Sequence, residues 1–519
     1  LGVKLNKDSI RVGGFVLEDT ENTVKTTATT HKSGNINTEN LMIQGAEGVD
    51  LLGQNLTAAG DKIIDHGRGN LNIGGYENKT TTEEKTHTET ISTEVGIRNA
   101  YVDAALAIVA VKDAISALKD AKDDYSQAQR NYASGKITKE ALDDSKANVA
   151  MATANVATAQ IAAAASAAAV AAAAASSYGT GFTIGANGER IETTTTTNTE
   201  QSQWQGSNLD LNNLQLKSEG QNINIQGSRV NATGTTTFDG SKDLNVTAGV
   251  EHSKQDSNSK TNSQSVSYTY GGGGSASIGK QTSQSQNESL THINSEVVLN
   301  RTEGAIDKLN IQGGTVSIAD RGNLQVNNIH VESLQDTASS TNSSKGGSIG
   351  GGYGSGSKNI TASYNQAKGN SDSAWVNDTS KLLIGNAQND ANLDAMGVKN
   401  VTNIGGVIAN ATKNSDGTLT DHGKLNYSDE LELKDIEDHN YNSSSGFNVS
   451  TSIGIPQKGT PEASTAPKGS TTIGVNSSGQ ETEQLTKATM GQGTVKNVTD
   501  MTNRDINNAQ EITRDQTTG

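Results

Sequence analysis

Leu209, Leu211, Leu214, Leu216, Ile223 and Ile225 alternate with polar residues at a spacing near two. That period puts one side chain in and the next out, as in a strand with one buried face. The stretches are short and punctuated by Asn, Gly and Asp. One version recurs, as Leu41-Met42-Ile43-Gln44-Gly45, Ile223-Asn224-Ile225-Gln226-Gly227 and Leu309-Asn310-Ile311-Gln312-Gly313, with a weaker copy at Leu382-Leu383-Ile384-Gly385. A second signal comes after each, at Leu71–Ile73, Leu244–Val246, Leu324–Val326 and Leu431–Leu433. The second and third copies start 86 residues apart; the first two start 97 apart once the unrelated stretch 94–178 is set aside. Within each block apolar positions return after roughly twenty residues, the length of one turn of a solenoid. The pattern predicts a mainly β chain: a right-handed parallel β-helix with Leu41, Ile43, Ile223, Ile225, Leu309, Ile311, Leu324 and Val326 inward. The rival, an antiparallel sandwich, is disfavoured by the linear repeat and by the scarcity of Asn-Gly turns.

Between the repeats lie polar tracts with sparse apolar alternation: Gly181–Ile184, Ser265–Ile278, Gly346–Ser357 and Gly446–Ile453. They read as β-hairpin flaps on the solenoid. An apolar outer face meeting lipid or partner strands is the sharper alternative, since membrane strands alternate in this way.

The stretch 94–178 changes period. Ile97, Tyr101, Ala104, Ile108, Val111, Ile115 and Leu118 step by fours and threes, continuing loosely through Ala121, Tyr125, Ala128 and Tyr132. After Ser134-Gly135-Lys136, Leu142, Val149, Val156, Ala163 and Val170 fall seven apart, and Ala fills 18 of the 29 positions from Ala147 to Ala175. These patterns predict an inserted antiparallel α-helical hairpin. Ile161–Ala175 is uncharged but too short and too weakly apolar to span a bilayer.

Composition narrows the function. Only 32% of the 519 residues are hydrophobic and 3% aromatic, too little for large rounded cores but enough for a thin buried stripe. A net charge of −16 without a Lys/Arg cluster argues against nucleic acid. The absence of Cys removes disulfides and thiolate chemistry. The eight His (31, 66, 87, 252, 292, 330, 422 and 439) show no metal spacing. Gly346-Gly347-Ser348-Ile349-Gly350 matches G-x-S-x-G but lies in a glycine tract. Asn386–Asp394 lacks the order of a calcium loop. No acidic cluster recurs on one face to cleave polysaccharide. The expectation is therefore no enzyme: no catalytic, cofactor-binding or metal residue, and no cofactor. Leu1 and Gly519 fall in mid-pattern without a signal peptide, which reads as a piece of a longer protein.

The repeated N-[LI]-x-[IV]-x-G strands and Ser/Thr/Gly flaps resemble the haemagglutinin repeats of filamentous-haemagglutinin-type exoproteins of two-partner secretion. Val498–Asp515 is similar to the segment after the second haemagglutinin-repeat region of CdiA-type contact-dependent growth-inhibition proteins. The resemblance divides the chain into 1–93 β-helix repeats, the 94–178 hairpin insertion, 179–455 β-helix haemagglutinin repeats, and 456–519 linker and start of a pre-toxin segment. It implies a secreted, cell-surface toxin-delivery segment. Its partners would be a cognate outer-membrane two-partner-secretion transporter, the target cell's outer membrane or surface receptor, and a downstream toxin domain. An adhesin shaft is the alternative, and the two differ in whether a toxin cassette lies downstream of Gly519.

Overall fold

A computed structural model describes residues 4–6, 9–133, 137, 141–142, 145–146, 148–149, 182–269, 273–354, 357–456, 468–495, 506–507 and 510–518. The chain is mainly β and builds two large sheets, one parallel and one antiparallel.

The parallel sheet follows from the period-two stretches. Asn208–Gln226 lies beside Arg229–Thr247 in register, Leu209 against Val230, Leu214 against Thr236 and Ile223 against Leu244. Each chain turn therefore has three straight segments, and successive turns are offset by about twenty residues. Turns at 34–52, 54–74, 208–226, 229–247, 295–312, 314–332, 381–404 and 407–434 stack in this order.

Stacking like on like makes apolar columns. Val49, Leu71, Ile223, Leu244, Leu309, Ile329, Val401 and Leu431 are successive partners along one of them. Ile223, Ile225, Leu309, Ile311, Leu324 and Val326 are buried as expected, whereas Leu41 and Ile43 are only partly buried. The repeat copies are not equivalent. Leu41 faces Lys62, which faces Leu214, so Leu41–Gln44 is a second segment. Leu382 faces Val316 and belongs to a first segment, while Ile223 and Leu309 lie in third segments. All three segments carry the same apolar-x-apolar signature, so the motif cannot report its position in the turn.

Polar residues satisfy the backbone between columns. At corners between one turn and the next, Ser207, Ser228, Ser295, Ser333 and Ser380 are buried. The Ser207 amide donates to Ser228 Oγ, and the Ser228 amide to Ser295 Oγ, at 3.0 and 3.1 Å. On the outer side of the third segment, Asn224 donates to Asn72 and Asn245 to Asn224, each at 2.9 Å. Such ladders need one residue type repeated at the strand spacing.

The expected parallel fold accounts for only one of the two sheets. The flaps are not isolated hairpins. They pair edge to edge into one open antiparallel sheet of eleven strands. The first hairpin is Tyr76–Asn99 with Phe182–Gln205, the second Gly249–Thr269 with Gly273–Ile293, the third Asp336–Gly354 with Ser357–Trp375, and the fourth Ile436–Pro456 with Lys468–Thr486. Lys4–Asn6 and Ser9–Thr29 precede them and Gln510–Thr518 comes after. Two turns of the parallel stack separate each hairpin from the next. Two turns rise by about 9.6 Å, the width of two strands. The two sheets are commensurate, and each hairpin arrives beside the last without a gap.

Two boundaries differ from expectation. Extended pairing runs to Asn99, opposite Phe182, so the helix (α1) spans Ala100–Ala133 rather than starting at 94. Residues 468–486, expected to be linker, complete the fourth hairpin, and Ile506 packs with Leu383, Val407, Ala409, Ala411 and Leu419. On α1, Val111, Leu118, Ala121, Tyr125 and Ala128 are half-buried, but Ile108 and Ile115 are exposed, so the seam is narrower than the spacing indicates. Leu142 and Val149 are helical and half-buried; Val156, Ala163, Val170 and the rest of the Ala-rich stretch expected to be helical lie outside the described residues.

Candidate functional site

The hairpins stand on well-anchored bases. Trp204 Nε1 donates to the Gly227 carbonyl at 2.8 Å. Its ring covers Gly227 and Gly249, where any Cβ would come within 2.4 Å of the indole. Gly227 also has φ near 51°, so glycine is required there twice over. Asp336 joins the second and third hairpins: the His292 amide and the Asn377 side chain donate to it at 2.7 and 2.6 Å. Burial pushes the Asp336 carboxyl up, but these bonds and the His292 ring outweigh it and hold the group below its ordinary value. At the fourth hairpin the buried Asp438 accepts from Gln335, Gln484 and Thr486. These carboxylates are structural.

Toward the tips the sheet has two chemically different faces, fixed by the cross-strand pairing. One row reads Val266, Ala276, Gly351, Ile360 and Ile453. Two residues nearer the tip, Tyr268 and Tyr353 flank Gly274. Stepping baseward by twos on the same face come Ile278 and Ile349, then Tyr364, Val449 and Ile473, then Phe447 and Val475. Most are open to solvent: Ile278 is 66% exposed, Ile349 67% and Val475 76%. The band covers four two-residue steps, about 27 Å along the strands. The opposite face holds Ser265, Ser277, Thr361, Ser452 and Ser470 in one row and Ser348, Ser363 and Ser450 in another. Its hydroxyls pair across strands, Ser265 with Ser277 at 2.7 Å, Ser348 with Ser363 at 2.7 Å and Ser452 with Ser470 at 2.9 Å.

Helix α1 crosses the hydroxyl face. Gln129 Nε2 donates to Gln480 Oε1 at 2.7 Å. Pairing places Gln480 in the row of Thr82, seven strands from the strand that feeds α1. On a flat sheet that row lies about 65 Å from Asn99. The helix from 100 to 129 covers about 44 Å. Two glutamine side chains cannot bridge the difference, so the sheet is twisted or bent rather than flat, and α1 lies over its hydroxyl face.

The places where the sequence looks chemical are otherwise employed. Ser348 lies in mid-strand, bonded to Ser363, with no strand-to-helix elbow around it. Asn386 Oδ1 accepts from the backbone of Gln388 and Asn389, closing its own turn. No group of three His, Asp or Glu suited to a metal ion occurs among the described residues. Of the histidines, His292 and His31 brace flap bases, and His66 is buried against the Gly69 carbonyl. No described helix is long and apolar enough to cross a membrane, which says nothing of strands. The two-faced sheet was visible only in fragments, because its apolar residues come from six strands spread over more than 200 positions.

Residues 184–347 match the family model for the hemagglutinin repeat. No curated protein and no solved structure matches the chain. The matched span begins in the first hairpin and ends in the third, so it takes in four turns of the parallel stack, the whole second hairpin and part of the two-faced sheet. Such repeats belong to secreted, surface-exposed shafts and adhesins that are typically substrates of two-partner secretion. Residues 184–347 thus carry the hemagglutinin repeat of filamentous-haemagglutinin-type proteins.

Proposed function

We propose that the chain is a delivery segment of a contact-dependent growth-inhibition protein of CdiA type, and that it does no chemistry itself. In this reading the parallel stack is a right-handed β-helical shaft that holds the antiparallel sheet off the producing cell. The sheet's apolar face lies on or in the neighbour's outer membrane while a toxin domain further along the same protein is transferred. An outer-membrane transporter exports the whole filament. The observation that carries the reading is the one-sided apolar band of about 27 Å. Membrane β-proteins present an apolar band about 25 Å tall with aromatic residues at its borders. Here Tyr268 and Tyr353 stand at one border and Phe447 at the other. Asp336, Asp438 and Ser348 are all engaged in the fold, which favours a non-enzymatic role.

The test is Ile278→Asn, Ile349→Asn and Ile473→Asn together in the full secreted protein, scoring secretion, attachment to target cells and toxin entry separately. All three side chains are more than half exposed, so the fold should stand. The reading expects normal secretion with toxin entry lost. Unchanged toxin entry sinks it. Loss of attachment with no toxin cargo downstream would favour the plain adhesin shaft.

A further inference from the structure

The apolar face has a second property that its hydrophobicity alone does not require. Across the second, third and fourth hairpins, the rows that hold the band and the row next to it toward the base contain Lys260, Lys280, Lys345, Lys358 and Lys368. Within these three hairpins the described residues of those rows include no Asp or Glu, in a chain whose net charge is −16; the same rows reach Glu192, Glu89, Asp19 and Glu21 only where they continue into the first hairpin and Ser9–Thr29. All five lysines are exposed, and none forms an ion pair among the described residues. Within the same three hairpins, the first carboxylate on this face toward the base is Asp256, one row beyond Lys368. The cations are placed at the borders. Lys358 shares the tip row with Tyr353, and Lys260, Lys345 and Lys368 lie at the base side. Lys280 reaches in between, beside the shallow apolar depression lined by Ile278, Ile349, Tyr364 and Val449 over the bare backbone of Gly347.

We propose that this face takes a lipid surface carrying anionic phosphate headgroups. Its acyl chains would lie against Ile278, Ile349 and Val449, and its phosphates would meet the bordering lysines. The proposal rests on the membrane reading above and deepens it by naming the lipid class. The charge pattern selects the occupant. A second copy of the chain would bring the same five lysines against themselves, and a zwitterionic surface would offer them no net counter-charge. Long lysine side chains at the edge of an apolar band keep the ammonium in the headgroup layer while their methylenes cover hydrocarbon. Each lysine near an anionic surface adds about fivefold to binding.

The experiment measures co-sedimentation of the intact chain with vesicles of phosphatidylcholine and of mixed phosphatidylcholine and phosphatidylglycerol. The variants are Lys280→Gln with Lys345→Gln, and as control Lys399→Gln with Lys413→Gln on the parallel stack. Tight binding to the anionic vesicles is expected, weakened about thirtyfold by the first pair, unaffected by the control pair and reduced by salt. Equal binding to both vesicle types, or indifference to the Lys280 and Lys345 exchange, overturns the anionic-lipid proposal and leaves the membrane reading standing. Binding to neither type removes both. A stable dimer in sedimentation that persists with vesicles present and hides these side chains also overturns it.

Discussion

Excising Ser207–Gly227 removes one turn of the parallel stack and joins Gly206 to Ser228, its structural equivalent one turn on. The stack should heal. Leu56 would meet Val230 and Leu71 would meet Leu244, apolar on apolar as before. The antiparallel sheet should not. Its first and second hairpins need about 9.6 Å between equivalent strands, and one turn supplies about 4.8 Å. The pairing that fails is the one between Phe182–Gln205 and Gly249–Thr269, which runs unbroken from Gly185↔Thr269 to Gln201↔Ser253. At about 0.5–1.5 kcal/mol net for each hydrogen bond, the loss is on the order of 10 kcal/mol, confined to that seam. Excising Ser207–Asn294 instead removes two turns and one hairpin and should restore the match, bringing Phe182–Gln205 beside Asp336–Gly354. Amide hydrogen exchange reads the difference. In the one-turn deletion, amides of the first two hairpins should exchange orders of magnitude faster while buried positions such as Val230 and Leu309 stay protected. In the longer deletion, both sheets should stay protected. Equal flap protection in the two deletions would refute the commensurate-spacing argument.

Ile311 is fully buried between Val246 and Val331, so Ile311→Asp should cost several kcal/mol in a denaturant melt, whereas Asp at the exposed Ile278 should cost under about 0.5 kcal/mol. The Asp336 carboxyl is held below its ordinary value, so it adds stability above the unfolded value near 3.8 that is lost as pH falls through the lower folded value. Asp336→Asn should therefore cost about 1–3 kcal/mol at neutral pH and flatten the acid limb of a stability-versus-pH curve. In this cysteine-free chain, Gln129→Cys with Gln480→Cys should be joined by a short bis-maleimide linker if α1 spans the hydroxyl face, and a product labelled only singly at each site would place the helix elsewhere.

How much of this was legible depends on which contacts are local in sequence. Ile223, Ile225, Leu309 and Ile311 announce their burial by alternation, because each lies in a strand whose inward face is set by its own neighbours. The segment a strand occupies is invisible, since Leu41–Gln44 and Ile223–Gln226 have the same pattern and different positions in the turn. Lys62 shows the limit from the other side. It occupies an inward position between Leu41 and Leu214, and burial pushes its ammonium down, yet nothing in its flanks marks it as buried. The flaps were harder. Thr193, Thr195 and Thr197 look like a disordered polar run until Thr261, Ser259 and Ser257 stand beside them at 3.0–3.2 Å. A polar strand is stabilised by its neighbours' hydroxyls and amides rather than by a buried face, and those neighbours are 60 or more residues away.

That no group of three His, Asp or Glu suited to a metal ion forms among the described residues follows from the same geometry. Stacked turns and paired hairpins place like residues beside like, which suits columns, ladders and extended faces but rarely converges three different side chains on one point. A fold of this kind acts through surfaces, and only a few of its surfaces depart from uniform polarity. The parallel stack is covered by Asn, Ser and Thr ladders already bonded to one another. The hydroxyl face pairs its side chains in the same way and lies under α1. Among the described residues, the apolar face of the second to fourth hairpins combines exposed Ile, Val and Tyr with lysines that form no ion pair. Exposed apolar patches larger than a few hundred Å² on a folded protein mark contact surfaces. Six strands from three hairpins contribute to this one. The two-turn spacing that aligns those hairpins therefore builds the surface as well as the sheet, and the regularity of the shaft is a condition of what the flaps can touch.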